Sequence, residues 1–282
     1  MSVSSAKRTA CLMLIAAACL MLVCFSHSFA GGDSPGIRLP ALTEEKKKIF
    51  DNGSVVIHYG NASQGYLMIK GKAGKKPLKV RIILNAKEYI YDLNGQGEFE
   101  VFPLQMGSGK YKVQVFQEAK KGMYANLASK NIQVELDDPT LPYLYPSQYV
   151  HYTADSKTVA KSFELCEGLN TDPEKVKAIF AFCANPSNIA YHHARAISTK
   201  AGYLPNPDEV LEEGMGICFD YAAVMATMLR VQGIPTQLVI GYADRKYHAW
   251  NHTLVDGKWY RYDATYAATG NMAQSYTEER HY

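Results

Sequence analysis

Cysteine is scarce in this 282-residue chain, and half of it sits at the very start. Of six cysteines, Cys11, Cys19 and Cys24 fall within the first 30 residues, leaving Cys166, Cys183 and Cys218. Three thiols cannot build a disulfide framework, so stability must come from packing. No His or Cys pair has the spacing of a metal site. His192 and His193 are adjacent, and on a helix or a strand their side chains diverge. There is no phosphate-cradling glycine loop, no internal repeat and no low-complexity tract. The reading therefore expects no metal and no cofactor. Charge of one sign is also missing. The first 30 residues hold two of the 30 Lys+Arg and none of the 27 Asp+Glu, so the rest is close to neutral at about +1. That balance argues against nucleic acid or an anionic membrane as the main partner. After residue 30 no run is apolar enough to span a bilayer.

What is present begins with a leader. Residues 1–30 read as a signal peptide. Lys7 and Arg8 open it, an apolar stretch from Ala10 to Phe25 follows, and Ser28-Phe29-Ala30 offers small residues for cleavage. The expectation is a secreted or cell-surface protein. The membrane enters only through an uncleaved leader acting as an anchor, or through lipid on Cys19 or Cys24.

Residues 31–50 form a lead-in. Residues 51–138 carry short segments rich in β-branched and aromatic residues, such as Leu78 to Leu84 and Tyr111 to Phe116. Asn94-Gly95 and Gly107-Ser108-Gly109 punctuate them. About seven such strands predict an antiparallel, Ig-like β-sandwich. Residues 139–154, with Pro139, Pro142 and Pro146, read as a linker. Over residues 155–282 the period changes. Helices are expected from Asp155 or Ser156 to about Leu169, from Asp172-Pro173, from Asn206-Pro207-Asp208 through Glu213, and from Phe219 to Gln232. Strands follow over Gln237 to Gly241, His248 to Val255 and Trp259 to Asp263. Asp256-Gly257 is a hairpin turn that pairs Asn251–Val255 with Lys258–Tyr262. Helices first and antiparallel strands after predict an α+β domain.

Three short blocks in this last part carry chemistry. Gly216-Ile217-Cys218-Phe219-Asp220-Tyr221-Ala222 puts a thiol at the start of an apolar helix. There the helix dipole favours a thiolate, and free backbone N–H groups can stabilise an oxyanion. Thirty residues on, His248-Ala249-Trp250-Asn251 places an imidazole on a strand. Fifteen further, Tyr262-Asp263-Ala264-Thr265 ends the next strand in a carboxylate. The hairpin brings Asp263 close to His248 or Trp250. Nucleophile, base and orienting acid are the parts of a thiol relay. Each residue alone has a plain structural explanation; their joint placement does not.

The three blocks, in this order and spacing, resemble the transglutaminase-like superfamily over about Asp155 to Ala268. The resemblance implies a papain-like core in which Cys218 is the nucleophile, His248 the base and Asp263 the orienter. Exported members often pair that core with β-sandwich modules. It also implies a peptide or protein substrate, with hydrolysis and acyl transfer both open. Trp250 and Asn251 are expected to shape the site floor, with Trp250 equally open as a core residue, and Tyr191 is the candidate second oxyanion donor. Nothing matches the calcium sites of the animal enzymes. Two other functions stay open: an inactive envelope module that binds peptide or glycan, and an adhesive role for the β-sandwich. Cys166 and Cys183 are either a disulfide or two buried thiols.

Overall fold

The computed structural model describes residues 36–43, 45–74, 76–200 and 202–282. The leader expected over residues 1–30, with Cys11, Cys19 and Cys24, lies outside them. The described residues belong to one compact unit.

The first half is antiparallel sheet. Strands β1 (Ile49–Asp51), β2 (Val55–His58), β3 (Tyr66–Gly71) and β6 (Glu100–Pro103) form one four-stranded sheet in that spatial order. Strands β4 (Leu78–Leu84), β5 (Lys87–Leu93), β7 (Gly109–Lys120) and β8 (Met123–Val134) form a second, ordered β5-β4-β7-β8. Period-two patterning is clear in the second. On β4, Leu78, Val80, Ile82 and Leu84 are buried and the residues between them are not. These side chains meet Val55, Ile57, Leu67, Ile69 and Phe102 of the first sheet in one apolar cluster. The same cluster continues through Val150 and Tyr152 to Ala222, Ala226, Leu238 and Tyr282.

Helices then take over. They are α1 (Lys157–Leu165), α2 (Asp172–Cys183), α3 (His193–Ser198), α4 (Pro207–Glu213) and α5 (Cys218–Val231). A two-residue parallel pair, β9 (Ala190–Tyr191) with β10 (Met215–Gly216), lies among them. Thr171 and Glu174 close a capping box on α2, and Asn206 caps α4. Helix α5 is buried on every side from Asp220 to Val231, as an all-round apolar sequence requires.

A last sheet packs on α5, in the order β13-β12-β11-β14. Its strands are β11 (Thr236–Ala243), β12 (Lys246–Val255), β13 (Lys258–Tyr262) and β14 (Tyr276–His281), with α6 (Ala264–Thr269) between the last two. The β12–β13 register is Asn251 to Tyr262 through Val255 to Lys258. Asp256 and Gly257 both have positive φ, the backbone of a type I′ turn. The β11–β14 pairing slips between Ile240 and Gly241. A Cβ on Gly241 would lie 2.1 Å from the Thr277 carbonyl oxygen, so only glycine lets β14 come this close.

Arg230 ties the parts together. Its fully buried guanidinium donates to the carbonyls of Thr236 (2.9 Å), Tyr145 (2.6 Å) and Tyr282 (2.8 Å). Burial pulls it down to about 10, which still leaves it charged at neutral pH. Cys166 and Cys183 are free thiols buried in the helical core, and burial pushes Cys183 up to about 12.

Candidate active site

Cys218 opens α5 and is half-buried. What places it is the turn before the helix. Asp220, three residues past Ile217, accepts the Ile217 N–H at 2.8 Å on Oδ2 and the Tyr203 hydroxyl at 2.7 Å on Oδ1. Burial raises the Asp220 carboxyl, and these two bonds oppose the rise. The two glycines of this turn serve the backbone. Gly214 is the left-handed cap of α4, and a Cβ on Gly216 would lie 2.7 Å from that of Asp220. The packing thus ties Gly214 to the cap and Gly216 to Asp220.

The alternation of β12 sorts the next residues. His248, Trp250 and His252 share one face; Ala249, Asn251 and Thr253 share the other. The His248 side chain is 5% exposed and donates from Nε2 to Asp263 Oδ2 at 2.8 Å. Asp263 is itself the N-cap of α6, accepting the Tyr266 N–H at 2.9 Å on Oδ1. With Nε2 engaged, Nδ1 is the nitrogen left for the thiol. Burial pulls His248 toward its neutral form. Hydrogen bonds to Asp263 and Cys218, and the charges of both, outweigh it and lift the imidazole from 6.5 to about 9. Cys218, His248 and Asp263 are thus brought together, across 45 residues of sequence.

Cys218 and His248 open into a cavity of about 410 Å³. Tyr191 lines it with them, as do His193, Lys246, Tyr266 and Met272. Tyr191 stands beside Gly216 in the parallel pair, and burial raises its phenol, helped by the nearby Cys218. The space exceeds one amino-acid side chain, and its wall mixes aromatic rings with charged and hydroxyl groups.

Two expected floor residues are elsewhere. Asn251 does not reach the cavity, because it points to the opposite face from His248. Its amide clamps α5 to the sheet, donating to the carbonyls of Ala222 (2.9 Å) and Gln237 (3.2 Å). Trp250 is 1% exposed and lies behind His248, rings nearly parallel at 6.3 Å, with its indole N–H donated to His252 at 3.2 Å. It backs the imidazole and does not line the cavity.

Sequence reasoning missed two tyrosines. Tyr266 lays its ring on His248 at 4.4 Å. It lies three residues past Asp263, where the first turn of a helix capped by that carboxylate would have put it. Tyr276 donates its hydroxyl to Asp263 Oδ2 at 2.8 Å, and no local pattern announces it. Among the described residues, no cluster of three or more His, Cys, Asp or Glu is arranged to hold a metal ion. No helix among them is long and apolar enough to cross a membrane.

Comparison with known proteins agrees with the motifs. Residues 159–264 match the family model of the transglutaminase-like superfamily. Among solved structures, a cysteine protease candidate from Cytophaga hutchinsonii is 20% identical, with a TM-score of 0.40 over 71% of this chain and 78% of that one. A TGase is 23% identical, with a TM-score of 0.34 over 42% of this chain and 32% of its own. A protease candidate from Parabacteroides distasonis is 16% identical, with a TM-score of 0.31 over 67% and 38%. No curated protein matches.

Proposed function

We propose that the protein is a thiol enzyme acting on amide or peptide carbonyls. The observation that carries this reading is one imidazole bonded to Asp263 at 2.8 Å and lining, with Cys218, the same solvent-reached cavity. The imidazole lifted to about 9 is the charged partner a thiolate needs near neutral pH. Cys218 Sγ attacks the carbonyl carbon, and the Cys218 N–H at the open end of α5 receives the oxyanion. As the C–N bond breaks, imidazolium Nδ1 gives its proton to the leaving amine, and a thioester remains. Water or a second amine then loses a proton to Nδ1 and attacks that thioester. An acid or a new amide leaves, and thiolate and imidazolium are restored.

The substrate is a peptide or protein. The leader-like pattern of residues 1–30 supports a secreted or cell-surface enzyme. In the same reading, residues 51–138 are an Ig-like sandwich that positions the domain of residues 155–282. Alkylation tests the proposal. Cys218 should react with iodoacetamide near pH 6 far faster than free cysteine, and Cys218→Ala should fold while losing all turnover. Mass spectrometry of a peptide mixture, with and without added amine, should find an acyl-enzyme and sort hydrolysis from transfer. A Cys218 no more reactive than free cysteine would leave an inactive binding module.

A further inference from the structure

Tyr276 lies beyond residues 159–264, the stretch that matches the family model, yet it reaches the centre of the site. Asp263 Oδ2 accepts two hydrogen bonds, one from His248 Nε2 and one from the Tyr276 hydroxyl, each 2.8 Å long. Oδ1 is held by the Tyr266 N–H. Tyr276 is gripped in turn: its ring meets Trp250 edge-on at 5.0 Å, and the Arg261 guanidinium sits 3.8 Å over its face. The bulge at Gly241 sets the approach of the strand that carries it.

We propose that Tyr276, polarised by Arg261, is a positioning residue that restrains the basicity of the Asp263 carboxylate and so sets where His248 titrates. This rests on the thiol-enzyme reading for its consequence but not for its measurement. A carboxylate that already accepts a hydroxyl proton on Oδ2 attracts the imidazolium less strongly. A cation over a phenol ring draws electron density from it and strengthens the hydroxyl as a donor. The result is an imidazole protonated enough to pair with the thiolate, yet able to become the neutral base that the second half-reaction needs. Asp263 and Cys218 are the charged neighbours in contact with His248, from the heads of α6 and α5, and Tyr266 covers its ring. Asp244 and Lys246 line the cavity from the β11–β12 turn, and His193 from α3. Glu278, two residues beyond Tyr276, is spent on His281 and faces His252.

The test is the NMR titration of ring-labelled His248 in the full chain. Tyr276→Phe keeps the ring and removes the donor, and should move the midpoint up by about half a unit or more. Arg261→Gln should move it the same way by less, and Tyr260→Phe should leave it alone. A midpoint that stays put or falls in both Tyr276→Phe and Arg261→Gln overturns the proposal. The pH profile of Cys218 alkylation, read on the same samples, separates the two claims. If the parent's Cys218 is unreactive at pH 6 while Tyr276→Phe still shifts His248, the tuning stands and the thiol-enzyme reading falls. If Cys218 is reactive and His248 does not move, the reverse holds.

Discussion

Asp263→Asn isolates the carboxylate's charge, because the fold gives the side chain two separable tasks. Its Oδ1 caps α6 through the Tyr266 N–H, and asparagine caps as well as aspartate. The helix should therefore survive. The other terminus changes from a carboxylate oxygen to an N–H donor facing His248 Nε2. An imidazole that accepts there must carry its proton on Nδ1, the nitrogen left for Cys218, where it can no longer receive the thiol's proton. The charge that helps lift His248 from 6.5 to about 9 is lost as well. That whole lift corresponds to about 3 kcal/mol, and Asp263 supplies it together with Cys218 against the cost of burial. We expect the His248 midpoint to fall by about one to two units and the fast alkylation at pH 6 to disappear. Stability should follow. A raised folded-state value means that the ion pair contributes in full below about pH 6.5, and that this contribution is lost as pH rises through about 9. Denaturant melts of parent and variant should therefore differ most below pH 6.5 and converge above 9. A variant that still titrates near 9, or that differs from the parent equally at all pH values, would refute the electrostatic account of the site.

Two structural predictions accompany it. Arg230→Leu takes the guanidinium from three buried carbonyls, of which that of Tyr282 keeps the Leu238 N–H, and should destabilise the chain by roughly 3 kcal/mol in chemical denaturation. A loss below about 1 kcal/mol would mean that those carbonyls find other partners. Gly241→Ala sets a methyl against the Thr277 carbonyl and should push β14 off β11. Because β14 carries Tyr276, His248 should then titrate higher even where the melting temperature falls little.

Much of this fold was legible because local chemistry and global packing agree. The β12–β13 register follows from one dipeptide, since Asp256-Gly257 permits the positive φ of a type I′ turn, and two-residue hairpins leave no slack in pairing. Helix α4 runs from Pro207 to Glu213 as expected, because Asn206 and Gly214 supply both caps. Helices α3 and α6 have six residues each, too few for a period to emerge. The first four residues of β8, Met123 to Asn126, are all exposed, and only the hairpin with β7 makes them strand. Strand β14 is an edge, and Thr277-Glu278-Glu279-Arg280 shows no alternation because all four side chains are exposed.

The site divides along the same line. Cys218, His248 and Asp263 stand out in sequence because each is tied to a local element: a helix start, a strand, a hairpin end. Asn251 was misplaced, although the pleat of β12, counted from His248, already assigns it to the opposite face. Tyr276 could not be read at all. It reaches Asp263 only because a glycine 35 positions earlier admits a bulge, and because Arg261, on a strand at the far edge of the sheet, covers its ring. The residues proposed for the chemistry are announced by their own neighbours. The residue proposed to tune it is chosen by what the completed sheet brings beside Asp263, so the titration of His248, and not a motif in the sequence, is what tests it.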